Sequence, residues 1–577
     1  MQTLLKLLKP YRRGLIAVAI TDAIGMLTAL LMPYVMSRIV DTGIAGGDFN
    51  VILSSAALML VLALLSISGG LIANKINTVI TTGYTRDVCR ATFERVNTLS
   101  YEEYSKIGPS GLLTRTTDDI FNIEGAASSL VYTIVTVPVM LFGSVVLAFM
   151  ADAVLALIFM LAIPPVMIII YFFMKPLYSM WDKSDKYVDE QNKIVRERLG
   201  ALRVVRAFNN EYREHSRAKY ATEEMAKYMI RANVRGGYIE PVAMLLLNLA
   251  TVIMIGVGGI RADSGLLNDA GDVIAIIQYV ALISGALLNL SWTIAWLPRL
   301  KVSIRRINEI HNSKGERRGL PNVRPTGYSI NVEGLSFTYP DGGERVLTDV
   351  SFSVSEGERV AIIGGTGSGK STLVRLLLGF FDAEGDITLG GAKYRELSPS
   401  VIREHYSAAL QRGMIFEGTV KDNVRMGAPE ASDEEITRAL RDCAMDGFLN
   451  DHSEGLDYLL VGSGTNVSGG QRQRLNMART VIREADIYVF DDSFSALDFL
   501  TESTIKQNLK ERLAGKTQLI VTQRVSTAMS AEKIIVLDKG RIVGEGSHRE
   551  LAKSCGIYRE ICISQLGREY MEGGADI

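Results

Sequence analysis

Cysteine and histidine are scarce in this 577-residue chain, at four and five copies. Cys89, Cys443, Cys555 and Cys562 form no CxxC pair and no metal-ligand spacing. That argues against a disulfide framework or a zinc module and suits a reducing compartment. Net charge is −1, so bulk electrostatics give no footing for nucleic acid. Charge is also missing locally. Six segments, 15–35, 51–73, 126–150, 154–174, 241–260 and 273–297, hold one charged residue between them, Asp22. Each is near or above the ~20 residues that cross a bilayer as helix. Buried helices of soluble proteins are rarely this long and this free of charge. The first apolar run reads as too long for a signal peptide and lacks a small-residue cleavage site.

The connections between these segments differ in charge. Residues 41–50 are acidic and hold no Lys or Arg, 151–152 barely make a turn, and 261–272 are net acidic. Residues 75–125 and 175–240 are long and rich in Lys and Arg. The asymmetry predicts a cytoplasmic N-terminus, cytoplasmic long connections and a cytoplasmic C-terminal half. Residues 1–13 interleave leucines with Lys and Arg, as in a helix lying at a membrane surface. Residues 187–208 keep helical spacing, which predicts membrane helices that run on into the cytoplasm, turn and return. Residues 312–326 carry Pro, Gly and Arg and mark a boundary. The predicted organisation is an α-helical membrane domain with six transmembrane helices over 1–311, a linker over 312–327, and an α/β P-loop nucleotide-binding domain over 328–577.

That second domain is organised around Gly364, Gly365, Thr366, Gly367, Ser368, Gly369, Lys370, Ser371 and Thr372, which fit GxxxxGK[ST] between an apolar strand and a helix. The glycines let backbone wrap closely around phosphates, and the N–H groups then meet the positive end of the helix. Lys370 would reach the β- and γ-phosphates and Ser371 would ligate Mg²⁺.

Further motifs follow in order. Val467 precedes Ser468, Gly469, Gly470 and Gln471. Residues 487–491 form an apolar strand ending in Asp491. Ser495, Ala496, Leu497 and Asp498 come next, with Gln411 and Tyr339 upstream. Together they closely resemble the signature, Walker B, D-loop, Q-loop and A-loop of ABC transporters. Six helices fused to one such domain resemble the ABC exporter half-transporter. The resemblance implies that Tyr339 stacks on adenine and that Asp491 holds Mg²⁺ through water, with Ser371 and Gln411 near the same ion. It implies that the signature, Ser468 to Gln471, completes an ATP site on an opposing subunit. Tyr339 or Gln411 taken alone would read equally as an ordinary strand or loop residue.

Two positions depart from the family. Glu normally follows the Walker B Asp, and here Asp492 does. His normally follows the switch strand, and here Gln523 does. Asp is one methylene shorter, and a misplacement of ~1 Å can cost ~10²-fold in rate. Gln can hydrogen-bond a phosphate but carries no charge. The pattern resembles the degenerate-site subunit of bacterial heterodimeric multidrug-type exporters. Such a subunit binds ATP and Mg²⁺, hydrolyses poorly, and pairs with a second half-transporter that supplies the catalytic Glu and switch His. The implied cargo is an amphipathic small molecule or drug taken from the cytoplasm or inner leaflet, at a cell membrane and with lipid around the helices. A homodimeric lipid flippase and an ATP-gated channel remain alternatives.

By the same resemblance, short helices near 118–124 and 200–208 would touch nucleotide domains. Asp22 would either meet cationic substrate or pair with a Lys near the cytoplasmic edge. Asn248, Gln278, Asn289 and Trp292 would bond between helices or line a cavity.

Overall fold

A computed structural model describes residues 2–264, 270–320, 322–340, 342–411, 413–462 and 464–568. The chain divides into two units: Met1–Asn97 with Ser110–Asn312, and Thr98–Pro109 with Ser313–Ile577.

The first unit is helical. Its long helices are α1 (Arg12–Arg38), α2 (Phe49–Asn97), α3 (Asp118–Ala151), α4 (Ala153–Gly200), α5 (Ile239–Asp263) and α6 (Ala270–Asn312). Among the described residues, six stretches are long and apolar enough to cross a membrane. The 49 residues of α2 span about 73 Å at ~1.5 Å per residue, against a hydrocarbon core of ~30 Å. The helices therefore run well past the apolar segments, as the sequence led us to expect. Part of the connection over 261–272 lies outside the described residues.

Face-specific packing follows from residue size. Leu60, Leu64, Ile67 and Leu71 recur at helical spacing on α2 and are 57–66% exposed, an apolar stripe suited to lipid. On another face of the same helix, a Cβ at Gly69 would stand 3.0 Å from Gly25 Cα, so these small residues let α1 and α2 approach closely.

Polar groups inside this unit bond mainly through α3. Thr136 Oγ1 donates to Asp22 Oδ2 at 2.9 Å, and Ser129 and Thr133 share Thr293 of α6 at 2.9 and 2.7 Å. Asp22 is fully buried. It bonds the Thr136 hydroxyl rather than a Lys, because its position on α1 turns it toward α3. Asn289 bonds to Gly285 O of its own helix, not to a neighbour. The Trp292 side chain lies outside the described residues. Leu4 of the N-terminal helix Gln2–Leu8 is 5% exposed and packs with Tyr84, Val88, Ile120 and Ile307. That part of its apolar face is covered by protein.

The second unit holds two main sheets. An antiparallel sheet carries β1 (Ile330–Phe337), β2 (Leu347–Val354) and β4 (Glu384–Leu389), in order β2-β1-β4 and then the short strand Ala392–Lys393. The larger sheet carries β3 (Arg359–Ile363), β5 (Tyr406–Ala409), β6 (Ile487–Asp491), β7 (Thr517–Thr522), β8 (Lys533–Asp538) and β9 (Arg541–Gly546), in order β9-β8-β3-β7-β6-β5. Only β9 runs antiparallel there. All five residues of β6 and all six of β7 are buried, the continuous burial of parallel strands covered on both faces.

The segment Thr98–Pro109 belongs to this second unit. Tyr101, on the short helix Tyr101–Ile107, stacks on Phe380 at 4.9 Å and meets Phe381 edge-on at 5.2 Å. The sequence pointed instead to 118–124. Those residues open α3, a continuous helix within the first unit, and no separate short helix forms there. Residues 202–207 do form one, Leu202–Ala207, with Val204 56% exposed.

Candidate ATP site

The strand register brings the motifs to one edge. Thr522 pairs with Ile363, Val521 with Asp491, and Phe490 with Ala409. The segments leaving β3, β7, β6 and β5 therefore emerge side by side, where open α/β sheets bind ligands. They carry Gly364 to Ser371, Gln523, Asp492 and Gln411 respectively.

The phosphate loop is shaped by backbone demands. Gly369 sits at φ +103°, and a Cβ there would stand 2.6 Å from Leu347 Cδ2. It precedes α7 (Lys370–Leu377), whose first turn points its N–H groups back at the loop. Lys370 Nζ donates to Gly364 O and Gly365 O, both at 2.7 Å. Burial lowers the Lys370 pKa, while the carboxylates of Asp492 and Asp491 pull it the other way. Ser371 Oγ donates to Asp491 Oδ1 at 3.3 Å. Burial raises the Asp491 pKa and the Ser371 bond opposes that. A hydroxyl and a carboxylate this close make a pair of oxygen donors suited to a hard divalent cation.

Tyr339 lies just past β1. Its hydroxyl bonds Thr372 Oγ1 at 3.0 Å and accepts from Arg375 at 2.9 Å. Its ring meets Phe337 and Phe381 edge-on. The side chain is thus fastened to α7, beside the loop. Asp492 has φ +53°, a left-handed conformation that Asp tolerates better than most residues. Its N–H donates to Val521 O at 2.8 Å. Thr366 Oγ1 donates to Gln523 Oε1 at 3.3 Å.

Ser468 caps α8 (Gly469–Ile482). Its hydroxyl accepts from Gln471 N–H, and Gln471 Oε1 accepts from Ser468 N–H. A Cβ at Gly470 would stand 3.2 Å from Ala496 O, so glycine lets the signature approach residues 495–498 closely. Asp498 accepts from Thr501 N–H at 2.9 Å and caps α9 (Phe499–Arg512).

Sequence reading missed two residues that bind these motifs together. Gln473 Nε2 donates to Ser495 Oγ at 3.0 Å, and its Oε1 accepts from Ala496 N–H at 3.0 Å. Arg524 donates to Ser495 O at 2.7 Å and to Glu502 Oε2 at 3.1 Å. Gln473 lies inside the run that follows the signature, so its place in the motif was the available signal. Nothing local marks Arg524.

The family model of the ABC transporter transmembrane region matches residues 15–287, and that of the ABC transporter matches residues 347–495. The chain belongs to the ABC transporters. An uncharacterized ABC transporter ATP-binding protein of Mycobacterium tuberculosis is 34% identical over 567 residues, 97% of each chain. Another, YfiB of Bacillus subtilis, is 29% identical over 575 residues, covering 99% of this chain and 100% of that one. The fold is shared with a bacterial Atm1-family ABC exporter solved with ATP bound, at TM-score 0.84 and 23% identity over 96% of this chain and 98% of that one. One membrane domain joined to one ATP-binding domain is the ABC exporter half-transporter plan.

In an ABC transporter this second domain is an ATPase domain, which implies ATP and typically Mg²⁺. The residues fit both groups. Lys370 has donors aimed into the loop, Ser371 and Asp491 present their oxygens together, and Gly369 holds a conformation that side chains resist.

Proposed function

We propose that this chain is one subunit of a heterodimeric ABC exporter, and that its own ATP site binds nucleotide but hydrolyses it slowly. The observation that carries this reading is the pair Asp492 and Gln523, at the positions where the family has Glu and His, beside an otherwise complete set of binding residues. The Asp492 carboxylate is one methylene short of the family's base, and Gln523 brings no positive charge. Tyr339, Gly364 to Thr372, Gln411 and Asp491 would hold ATP and its Mg²⁺. Ser468, Gly469, Gly470 and Gln471, with Ser495 to Asp498 behind them, would complete the site of a partner that carries Glu and His. Phe499 and Leu500, just past the D-loop, are 77% and 76% exposed, which fits a surface that a second ATPase domain covers.

The N-terminus and ATPase domain face the cytoplasm in this reading, from the Lys and Arg content of the connections. The cargo is an amphipathic small molecule or drug. A single round of turnover with labelled ATP tests the asymmetry. This chain's site is expected to retain ATP while the partner's holds ADP. ADP at both sites on the same timescale would overturn the reading.

A further inference from the structure

We propose that Gln565 is a positioning residue for the switch segment: its side-chain amide grips the backbone on both sides of Arg524 and so sets where Gln523 stands against the phosphate loop. This rests on the reading that Gln523 is the residue of that segment facing the γ-phosphate.

The geometry is specific. Gln565 Nε2 donates to Gln523 O at 2.7 Å. Gln565 Oε1 accepts from Val525 N–H at 2.8 Å. Gln523 lies between β7, which ends at Thr522, and the short helix Val525–Ala528, and Val525 opens that helix. The Val525 N–H is one of the first-turn donors that no intrahelical carbonyl can meet. Arg524, the capping residue, makes no side-chain cap of its own, because a guanidinium has no acceptor to offer a backbone N–H; it donates instead to Ser495 O and Glu502. Gln565 supplies the missing cap from elsewhere in the chain.

The anchor behind the grip is firm. Gln565 lies on α10 (Gly556–Leu566), three residues after Cys562 and seven after Tyr558, so the three share one face. Tyr558 and Cys562 are both 0% exposed and pack with Val525 and Ala528. The helix that holds the switch backbone is therefore packed against the same short helix whose start it caps. Three consecutive residues are then held from three directions. Gln523 bonds the phosphate loop through Thr366, Arg524 bonds the D-loop, and Gln523 and Val525 bond α10.

A primary amide suits this role at neutral pH, since one of its atoms donates while the other accepts. A carboxylate at the same reach accepts only. It would keep the Val525 bond and turn an acceptor against the Gln523 carbonyl. Protonation restores the donor.

The test uses the assembled transporter in nanodiscs, with amide hydrogen exchange over residues 523–528 and the dissociation rate of a fluorescent ATP analogue. Gln565→Leu is expected to speed exchange at Val525 and analogue release, each by about tenfold. Gln565→Glu is expected to keep Val525 protected within about twofold of wild type, yet release the analogue as fast as the Leu variant. Its release is expected to slow relative to wild type as pH falls from about 7 to about 5, as the carboxyl begins to protonate. Exchange that changes without any change in release overturns the positioning role, and so does a Glu variant that follows the Leu variant at every pH. Neither readout needs hydrolysis. Turnover at both ATP sites would defeat the degenerate-site reading and leave this one standing.

Discussion

Gln523 Oε1 accepts a hydrogen bond from Thr366 Oγ1 at 3.3 Å, which joins the residue after β7 to the phosphate loop. The strand order makes this possible, because β3 and β7 are neighbours and Ile363 pairs with Thr522. A neutral side chain at the switch position is thus within reach of the loop, and the interaction it makes there is uncharged. Binding and hydrolysis can then be separated by mutation.

Lys370→Ala is expected to weaken ATP affinity at this chain's site by about 10- to 100-fold, the loss of one charge-assisted contact. A labelled-nucleotide titration measures it. Unchanged affinity would remove Lys370 from the site.

Loss of general-base catalysis is worth roughly 10²–10⁴-fold where a base operates. If the chain works in the proposed heterodimer, Asp492→Ala should therefore leave substantial ATPase activity in the assembled pair, while Glu→Gln in the partner's site should abolish nearly all of it. Ser468→Ala in this chain should resemble the partner's variant, because both damage the same composite site. Equal losses from Asp492→Ala and the partner's Glu→Gln would mean that both sites hydrolyse.

Orientation is testable with thiol labelling. A cysteine at Gly46 would press its Cβ to 2.5 Å from Thr42 O, so the exposed neighbour Ala45 is the better site. Ala45→Cys should react with an impermeant reagent in intact cells. Native Cys89, which is exposed on α2, should react only after permeabilisation. The opposite pattern would invert the topology.

Glu502 is the buried centre of the switch region, with 6% of its side chain exposed. It accepts from Thr527 Oγ1 at 2.6 Å, from Lys506 at 2.7 Å and from Arg524 at 3.1 Å. Burial pushes its pKa up, but the Lys506 and Thr527 bonds together with the charges of Lys506 and Arg524 hold it below the ordinary Glu value. Glu502→Ala should cost about 1–3 kcal/mol, since it removes the buried acceptor of Thr527 while Lys506 and Arg524, 23% and 40% exposed, stay solvated. Thermal unfolding of the variant measures this. The native contribution should be complete above the ordinary Glu pKa of ~4.3 and fade as pH falls through the lower native value. A variant as stable as wild type near neutral pH would count against it.

Much of this molecule was legible one residue at a time. Six apolar segments with a single charge had to become membrane helices, because nothing else shields so much apolar surface and satisfies the backbone in lipid. The phosphate loop was equally plain, since its glycines, Lys370 and Ser371 are contiguous and their spacing is the mechanism. Asp492 and Gln523 were visible as departures because their neighbours Asp491 and Thr522 fixed their places.

Contacts across the fold were not legible. The sequence showed Asp22 as a charge in an apolar run, but only the rotation of α1 against α3 decided that it meets Thr136. It offered 118–124 as a short contact helix, whereas those residues extend α3 and Tyr101 is the residue on Phe380. It gave no sign of Gln565, which stands 42 residues from Gln523 and 40 from Val525 in the chain. Local periodicity encodes which face of an element is apolar, and short motifs encode chemistry that neighbours in the chain perform together. A hydrogen bond between distant side chains depends on strand order, helix rotation and the register between them, and those are set by the packing of the whole domain.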